Sequence, residues 1–413
     1  MRVGVVTEWF ARGSAFVSAA YMKTLEEAGF EVGIFSRQEQ VRLGATPWQH
    51  ERKFEGREVR FIKQKAFTAA SFRSWLQDFR PELILFNEQV WTPPVELAKS
   101  LGITCAAYVD YYTHDSVKDY AIYDLLLTNT QRHFDTFSWH PNCQLVPWGT
   151  DLEQFRPAAE ELYVNRPGPV FLHSAGWNPY RKGTDLVIRG FLDLTASEAR
   201  LKVATQTPMA AIEDLLGDVW QRVSKDDRIT IQANSDAGSS FFQSGDVYVY
   251  PSRLEGIGLT QAEALASGLP IVVTDEAPMK QFAESPWSMT IAVGRRFYRD
   301  DGYYWPMAEV DPGSVTSSME HFVVTFGNRV EWVADSRDYA ERFLDWEVNS
   351  NTLPEILRTA RKATPQGNTE LSWRAKSELL ITDLPAPLLR GVVALALSWR
   401  WWRKNGVGTK FNR

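Results

Sequence analysis

Hydrophobic positions along the first 150 residues come in short runs separated by amphipathic stretches. Arg2–Thr7 (RVGVVT), Glu31–Ser36 (EVGIFS), Leu83–Phe86 (LILF), Cys105–Val109, Leu125–Thr128 (LLLT) and Gln144–Val146 predict strands. Val17–Ala28, stopped at Gly29, the region Ser71–Phe79 and Glu96–Leu101, stopped at Gly102, predict helices. Strands that alternate with helices imply a parallel sheet covered on both faces. Pro147–Pro157 (PWGTDLEQFRP) reads as a linker, with Asp151 as the N-cap of a short helical turn.

The pattern then restarts. Val170–Ser174, Leu201–Ala204, Ile229–Ile231, Val247–Tyr250 and Ile271–Thr274 predict strands. Asp185–Leu194, Met209–Val223 and Leu259–Ser267, the last ended by Gly268, predict helices. Tyr298–Trp305 reads as an irregular aromatic surface loop, and further helical segments are expected around Val315–Phe326 and Ser336–Phe343. The expected domains are 1–157, 158–345 and a C-terminal segment 346–413.

Composition narrows the function classes. The chain has 413 residues, 44% of them hydrophobic and 23% charged, which is ordinary for a globular protein. A net charge of −6 argues against a nucleic-acid partner. From Arg361 to Arg413, however, ten Lys/Arg face three Asp/Glu, so an acidic body carries a basic tail. Two cysteines, Cys105 and Cys143, exclude a disulfide scaffold and make a reducing cytosol the expected location. The N-terminus reads as a first strand, not a signal peptide. Leu384–Trp399 is interrupted by two prolines and Arg390, so a spanning helix is not expected.

The densest chemistry lies in Tyr250–Lys280. Glu255 follows a strand; Gly256 and Gly258 permit close approach to a ligand; a helix begins near Leu259 and its amides can face an anion. Glu263 lies eight residues after Glu255, on that helix. Two such carboxylates can each accept from a vicinal diol, and a nucleotide sugar offers two diols with a diphosphate between them. In His173–Asp185, Arg181 and Lys182 precede Gly183 and a helix start, a setting that neutralises phosphate.

Glu255–Pro270 resembles the signature of the retaining GT-B glycosyltransferases of the group 1 family, which includes sucrose, mannosyl and glycogen-synthase-like enzymes. That signature is E-G-[FI]-G-L-x-x-x-E-A-x-A-x-G-x-P, and each position is met here, with Ile257, Leu259 and Thr260 inside it. Pro147–Pro157 is similar to the family's interdomain P-x-G-[VT]-D-x-x-x-F-x-P. The resemblance implies an α/β GT-B fold: two Rossmann-like domains facing across a cleft, acceptor domain first, donor domain second, with a C-terminal helix crossing back to the first. It implies that Glu255 contacts the donor sugar and Glu263 the ribose. It also implies retention, for which same-face attack through an oxocarbenium-like state is expected, the leaving phosphate taking the proton.

Departures are visible. Trp177 stands where the family usually has an Arg, with Arg181 as the candidate to replace its charge beside Lys182. Asp110 stands where a strand-end His is usual, and His114 lies four residues on; either contacts the sugar or acceptor, or His114 is a surface histidine. Only Gly13 remains of the N-terminal glycine loop. Asn234 sits where the base is commonly received, and Asn87 and Trp91 are candidates for the acceptor pocket. No Asp-x-Asp motif appears in the cleft segments; the Asp-Asp pairs at 226–227 and 300–301 fall in turns, so no metal and no cofactor beyond the donor substrate is expected. The expected partners are a nucleotide sugar and a glycan or lipid-linked acceptor. Leu388–Trp402 is apolar and aromatic with basic flanks, and either rests on an anionic membrane or packs on the first domain. A nucleotide-sugar epimerase of the same fold and a non-catalytic nucleotide-sugar-binding protein are the rival readings.

Overall fold

The computed structural model describes residues 1–37, 59–61, 68–235, 237–363 and 370–384. The tail segment Leu388–Trp402 lies outside the described residues. The first sheet is parallel. Its elements are β1 (Arg2–Thr7), α1 (Gly13–Glu27), β2 (Glu31–Ser36), β3 (Val59–Phe61), α2 (Ala69–Phe79), β4 (Leu83–Asn87), α3 (Pro93–Ser100), β5 (Thr104–Tyr108), β6 (Leu125–Thr128), α4 (Gln131–Phe137) and β7 (Cys143–Leu145). The strand order is β3-β2-β1-β4-β5-β6-β7. β4, β5 and β6 are buried at every residue, which is why they read as unbroken apolar runs.

Packing against β1 and β2 depends on two small residues in register, Gly4 and Gly33. A Cβ on Gly4 would lie 2.5 Å from the Trp75 ring, and one on Gly33 would lie 2.8 Å from the Phe79 ring. Those two rings, both on α2, stack with centroids 5.8 Å apart and seal the sheet. Each contributes about 1.5–3 kcal/mol by burial. The helix itself starts where Thr68 accepts a hydrogen bond from the Ser71 amide.

The second region begins with β8 (Val170–Gly176), α5 (Thr184–Leu192), β9 (Arg200–Thr205), α6 (Met209–Leu216), α7 (Trp220–Val223) and β10 (Ile229–Gln232). It continues with α8 (Ser239–Phe242), β11 (Val247–Tyr250), α9 (Leu259–Ala266), β12 (Ile271–Thr274) and β13 (Met289–Ile291). A hairpin, β14 (Val293–Phe297) and β15 (Met307–Val310), then precedes α10 (Pro312–Val324), α11 (Arg329–Phe343) and α12 (Trp346–Asn349). The sheet order is β10-β9-β8-β11-β12-β13, all parallel. Phe171, Val187, Phe191, Leu201, Val249, Met319 and Trp332 share its core.

The last described helices are α13 (Leu353–Ala363) and α14 (Trp373–Thr382). The chain divides into two compact units: Met1–Tyr108 with Lys118–Leu126 and the chain from Leu353 onward, and Val109–Val117 with Leu127–Thr352. The C-terminal helices therefore return to the first unit. Arg358 of α13 donates to the Ala28 carbonyl at 3.2 Å and stacks 4.6 Å over Phe30. Among the described residues no helix is long and apolar enough to cross a membrane.

Three expectations need correction. The helix expected over Met209–Val223 breaks at Gly217, whose positive φ of 47° ends α6. The first helix begins at Gly13, so Gly13 and Ser14 are its first turn, not a loop. The segment Tyr298–Trp305 is not a surface loop throughout: Tyr303 is buried and Trp305 half-buried, because both pack beside Leu254 and Met307.

Candidate active site

In the second sheet the connections run outward from β8 in one direction and from β11 in the other. These neighbouring strands mark the topological switch, and ligands of such sheets bind beyond the carboxyl ends there. The β8 strand leads to Trp177, Arg181 and Lys182, and β11 leads to Ser252 and Glu255. Of these, sequence reasoning singled out Arg181, Lys182 and Glu255 for one site, and their side chains meet in the structure.

Glu255 is buried. Its Oε1 accepts from Lys182 Nζ at 2.8 Å, the Tyr250 hydroxyl at 2.8 Å and Ser252 Oγ at 2.5 Å, and Arg181 lies 3.1 Å away. Oε2 accepts from Lys182 at 3.0 Å. Burial alone would raise this carboxyl; Arg181 and Lys182 override it and hold it down at about 2. Burial lowers the Lys182 ammonium to about 8, with Glu255 opposing and Arg181 adding to the fall. Lys182 also donates to the Tyr250 hydroxyl.

Glu263 differs from Glu255 in its partners and in the direction of its shift. It is half-buried on the first turns of α9, and among the described residues its carboxylate accepts no hydrogen bond. Burial raises it to about 8, opposed by Lys182. Two carboxyls in one site are thus pushed to opposite sides of the ordinary carboxyl value, the pattern of groups with different tasks.

The loop between them is held from several sides. Gly258 caps α9 with φ +93°, a conformation that suits glycine. Tyr248 of β11 bridges Ser174 Oγ at 2.5 Å and Thr260 Oγ1 at 2.8 Å, fixing the start of α9 against β8. Gly256 meets Asp110: a Cβ there would collide with Asp110 Oδ1. Asp110 therefore lies against the glutamate loop, and the backbone reaches it only because residue 256 has no side chain. Arg132 of α4, itself buried, donates to the Glu255 carbonyl at 2.5 Å and also to the Ala277 carbonyl, and stacks 4.9 Å from Trp305. Arg253, 2% exposed, binds Asp185 through two 2.7 Å bonds and Glu309 at 2.8 Å, tying the loop to α5 and β15.

The remaining sequence candidates fall elsewhere. Ile257 is buried under the loop and Leu259 opens α9. Asn234 is exposed just past β10 with φ +53°. His114 is exposed and stacks 4.4 Å from the Tyr304 ring. In the first unit, Asn87 is buried and donates to the Ser14 carbonyl at 2.7 Å and Ser18 Oγ at 2.8 Å, so it ties β4 to α1. Trp91 donates to Glu378 of α14 at 2.6 Å. Gly13 is exposed beside Arg12, which pairs with Glu8 and lies 3.5 Å from Glu88 at the β1/β4 switch. Sequence reasoning missed Tyr250, Ser252 and Arg132. The first two stood in the YPS stretch beside Glu255; nothing marked Arg132.

Residues 168–286 match the family model for glycosyl transferases group 1. This segment is a glycosyl transferases group 1 domain. The chain is 28% identical over 136 residues to a lipopolysaccharide core biosynthesis mannosyltransferase of Rhizobium meliloti, covering 31% of this chain and 39% of that one. It is 24% identical over 237 residues to a glycogen synthase of Cereibacter sphaeroides, covering 54% and 46%. The chain thus spans less than half the length of these curated relatives. Sucrose-phosphate synthase from Thermosynechococcus elongatus superposes with a TM-score of 0.70 at 14% identity, over 88% of this chain and 100% of that one. HepE of Anabaena, solved with UDP-glucose, gives 0.68 at 11% identity, over 87% and 100%. At these identities the structural likeness establishes the fold, which is GT-B with two Rossmann-like domains.

Proposed function

We propose that the group 1 domain makes this chain a retaining glycosyltransferase that moves a sugar from a nucleoside diphosphate sugar to a glycan or lipid-linked glycan acceptor. The observation that carries the reading is Glu263: a carboxyl without a hydrogen-bonding partner among the described residues, at the start of α9, beside the Lys182–Glu255 pair. A ribose diol supplies the two donors that such a carboxylate lacks. The amides of Gly258, Leu259 and Thr260 and the Lys182 and Arg181 side chains then face the diphosphate. In this reading the charge that builds on the leaving phosphate is met by Lys182 and Arg181, and Asp110 and the Oε2 edge of Glu255 face the donor sugar. Asn234 receives the base, and His114 lies on the acceptor side.

We further propose that transfer needs no metal. The carboxylates of the two Asp-Asp turns support this, since Asp226 binds Arg228 at 2.7 Å and Asp301 binds Arg299. A cytosolic location, with the basic tail against a membrane surface, accompanies a lipid-linked acceptor.

The test is a screen of UDP-, GDP- and ADP-sugars by thermal shift and slow donor hydrolysis, with Glu263→Ala beside the wild type. A donor that stabilises the protein and is turned over by the wild type alone supports the transferase. Binding without turnover favours a nucleotide-sugar-binding protein, and inversion at a sugar carbon without transfer favours an epimerase. No nucleotide binding refutes the reading.

A further inference from the structure

We propose that an aromatic ladder in the second unit, built from the segments 110–114 and 298–304, is a subsite for a sugar ring of the acceptor. The proposal rests on the transferase reading above. The two segments are joined by the Thr113–Tyr303 bridge and by the Tyr304 amide, which donates to the Tyr112 carbonyl at 2.9 Å. Their rings then follow one another outward. Tyr111 and Tyr303 are 5.2 Å apart, Tyr112 and Tyr304 5.3 Å, Tyr304 and His114 4.4 Å, and His114 and Tyr298 6.5 Å.

The inner end is continuous with the active site. The Tyr303 hydroxyl donates to the Asp110 carbonyl at 3.3 Å, and Tyr303 packs with Leu254, the residue before Glu255. The outer end faces solvent: His114 is exposed and Tyr298 is 65% exposed. Beside the Tyr111–Tyr303 rung stands the Arg299–Asp301 pair: Arg299 lies 5.7 Å over the Tyr303 ring, and Asp301 accepts from the Tyr111 hydroxyl at 3.3 Å.

This combination selects its occupant. Exposed flat rings offer an apolar face, and a pyranose presents a face of C–H groups of matching size. The neighbouring carboxylate and guanidinium accept from and donate to ring hydroxyls. A purely apolar partner would leave that ion pair dry. The ladder also lies outside residues 168–286, the segment that matches the family model.

The test is saturation-transfer NMR on the full chain with methyl α-mannoside, methyl α-glucoside and methyl α-galactoside, each titrated with and without UDP. At least one glycoside is expected to bind saturably. Tyr298→Ala and His114→Ala are each expected to weaken it by about threefold to tenfold, and the double variant more. Both positions are at the surface, and an unchanged melting curve verifies each fold. Absence of saturable binding by every glycoside, or equal binding by wild type and variants, overturns the ladder. UDP binding with no ladder effect refutes this proposal and leaves the donor reading intact. Glycoside binding that the variants weaken, without any UDP binding, sinks the donor reading and supports the ladder.

Discussion

Glu263 offers the sharpest test of the site, because burial raises its carboxyl from 4.5 to about 8 in the folded protein. A ribose diol brings two donors and needs two accepting oxygens, so it binds the ionised form. Donor binding must therefore expel a proton below pH 8. The affinity for UDP is expected to fall about tenfold at pH 7 and about a hundredfold at pH 6, relative to its limiting value. Lys182 loses its charge above about 8, which sets the alkaline side of the optimum. Calorimetric titration of UDP from pH 6 to 9, in two buffers of different ionisation heat, counts the protons released. Since UDP itself titrates, the decisive quantity is the difference between wild type and Glu263→Gln. The same linkage acts on folding. A carboxyl raised in the folded state favours folding below the unfolded value and loses that contribution as pH rises from 4.5 to about 8, up to roughly 5 kcal/mol. Glu263→Gln should melt like the wild type at pH 4 and above it at pH 8. Equal pH slopes and equal proton counts in the two proteins would refute the argument.

Other substitutions probe the supports. Gly256→Ala drives a methyl into Asp110 Oδ1 and is expected to cost about a hundredfold in turnover, which steady-state kinetics checks. Lys182→Ala leaves Glu255 with Arg181 as its remaining cation, so turnover should drop by about 10²-fold or more and the alkaline limb near 8 should vanish from the pH profile of kcat/KM. Arg253→Ala strands Asp185, leaves Glu309 with Arg295 as its cation, and should cost about 3–5 kcal/mol in denaturant unfolding.

The parallel sheets were legible because buried strands are continuous apolar runs, as LILF and IVVT show. The glutamates were legible because a long motif fixes their spacing within one strand–loop–helix unit, and Lys182 because it stands with Arg181 before Gly183 and a helix start. The hairpin β14–β15 was not: Val293–Phe297 carries three exposed positions, Gly294, Arg295 and Arg296, so no run or clean alternation marks it. Its role in burying Tyr303 was hidden with it. Helix α14 escaped for a similar reason, since Trp373 and Leu380 are exposed and blur the periodicity. Arg132 could not be found locally at all. Its partner, the Glu255 carbonyl, lies 123 residues downstream, and a backbone carbonyl leaves no trace in sequence.

That arginine bears on modularity. A fragment cut at residues 168 and 286 would retain Lys182, Glu255 and Glu263, with the whole Glu255–Pro270 signature. It would lose the guanidinium that grips the Glu255 and Ala277 carbonyls, the Asp110 carboxylate against Gly256, and the Glu309 arm on Arg253. The recognisable motif and the autonomous building block are therefore different stretches of chain. Anyone grafting this site into another scaffold must carry over α4 and β15 as well, because the glutamate loop owes its shape to neighbours that the motif does not contain.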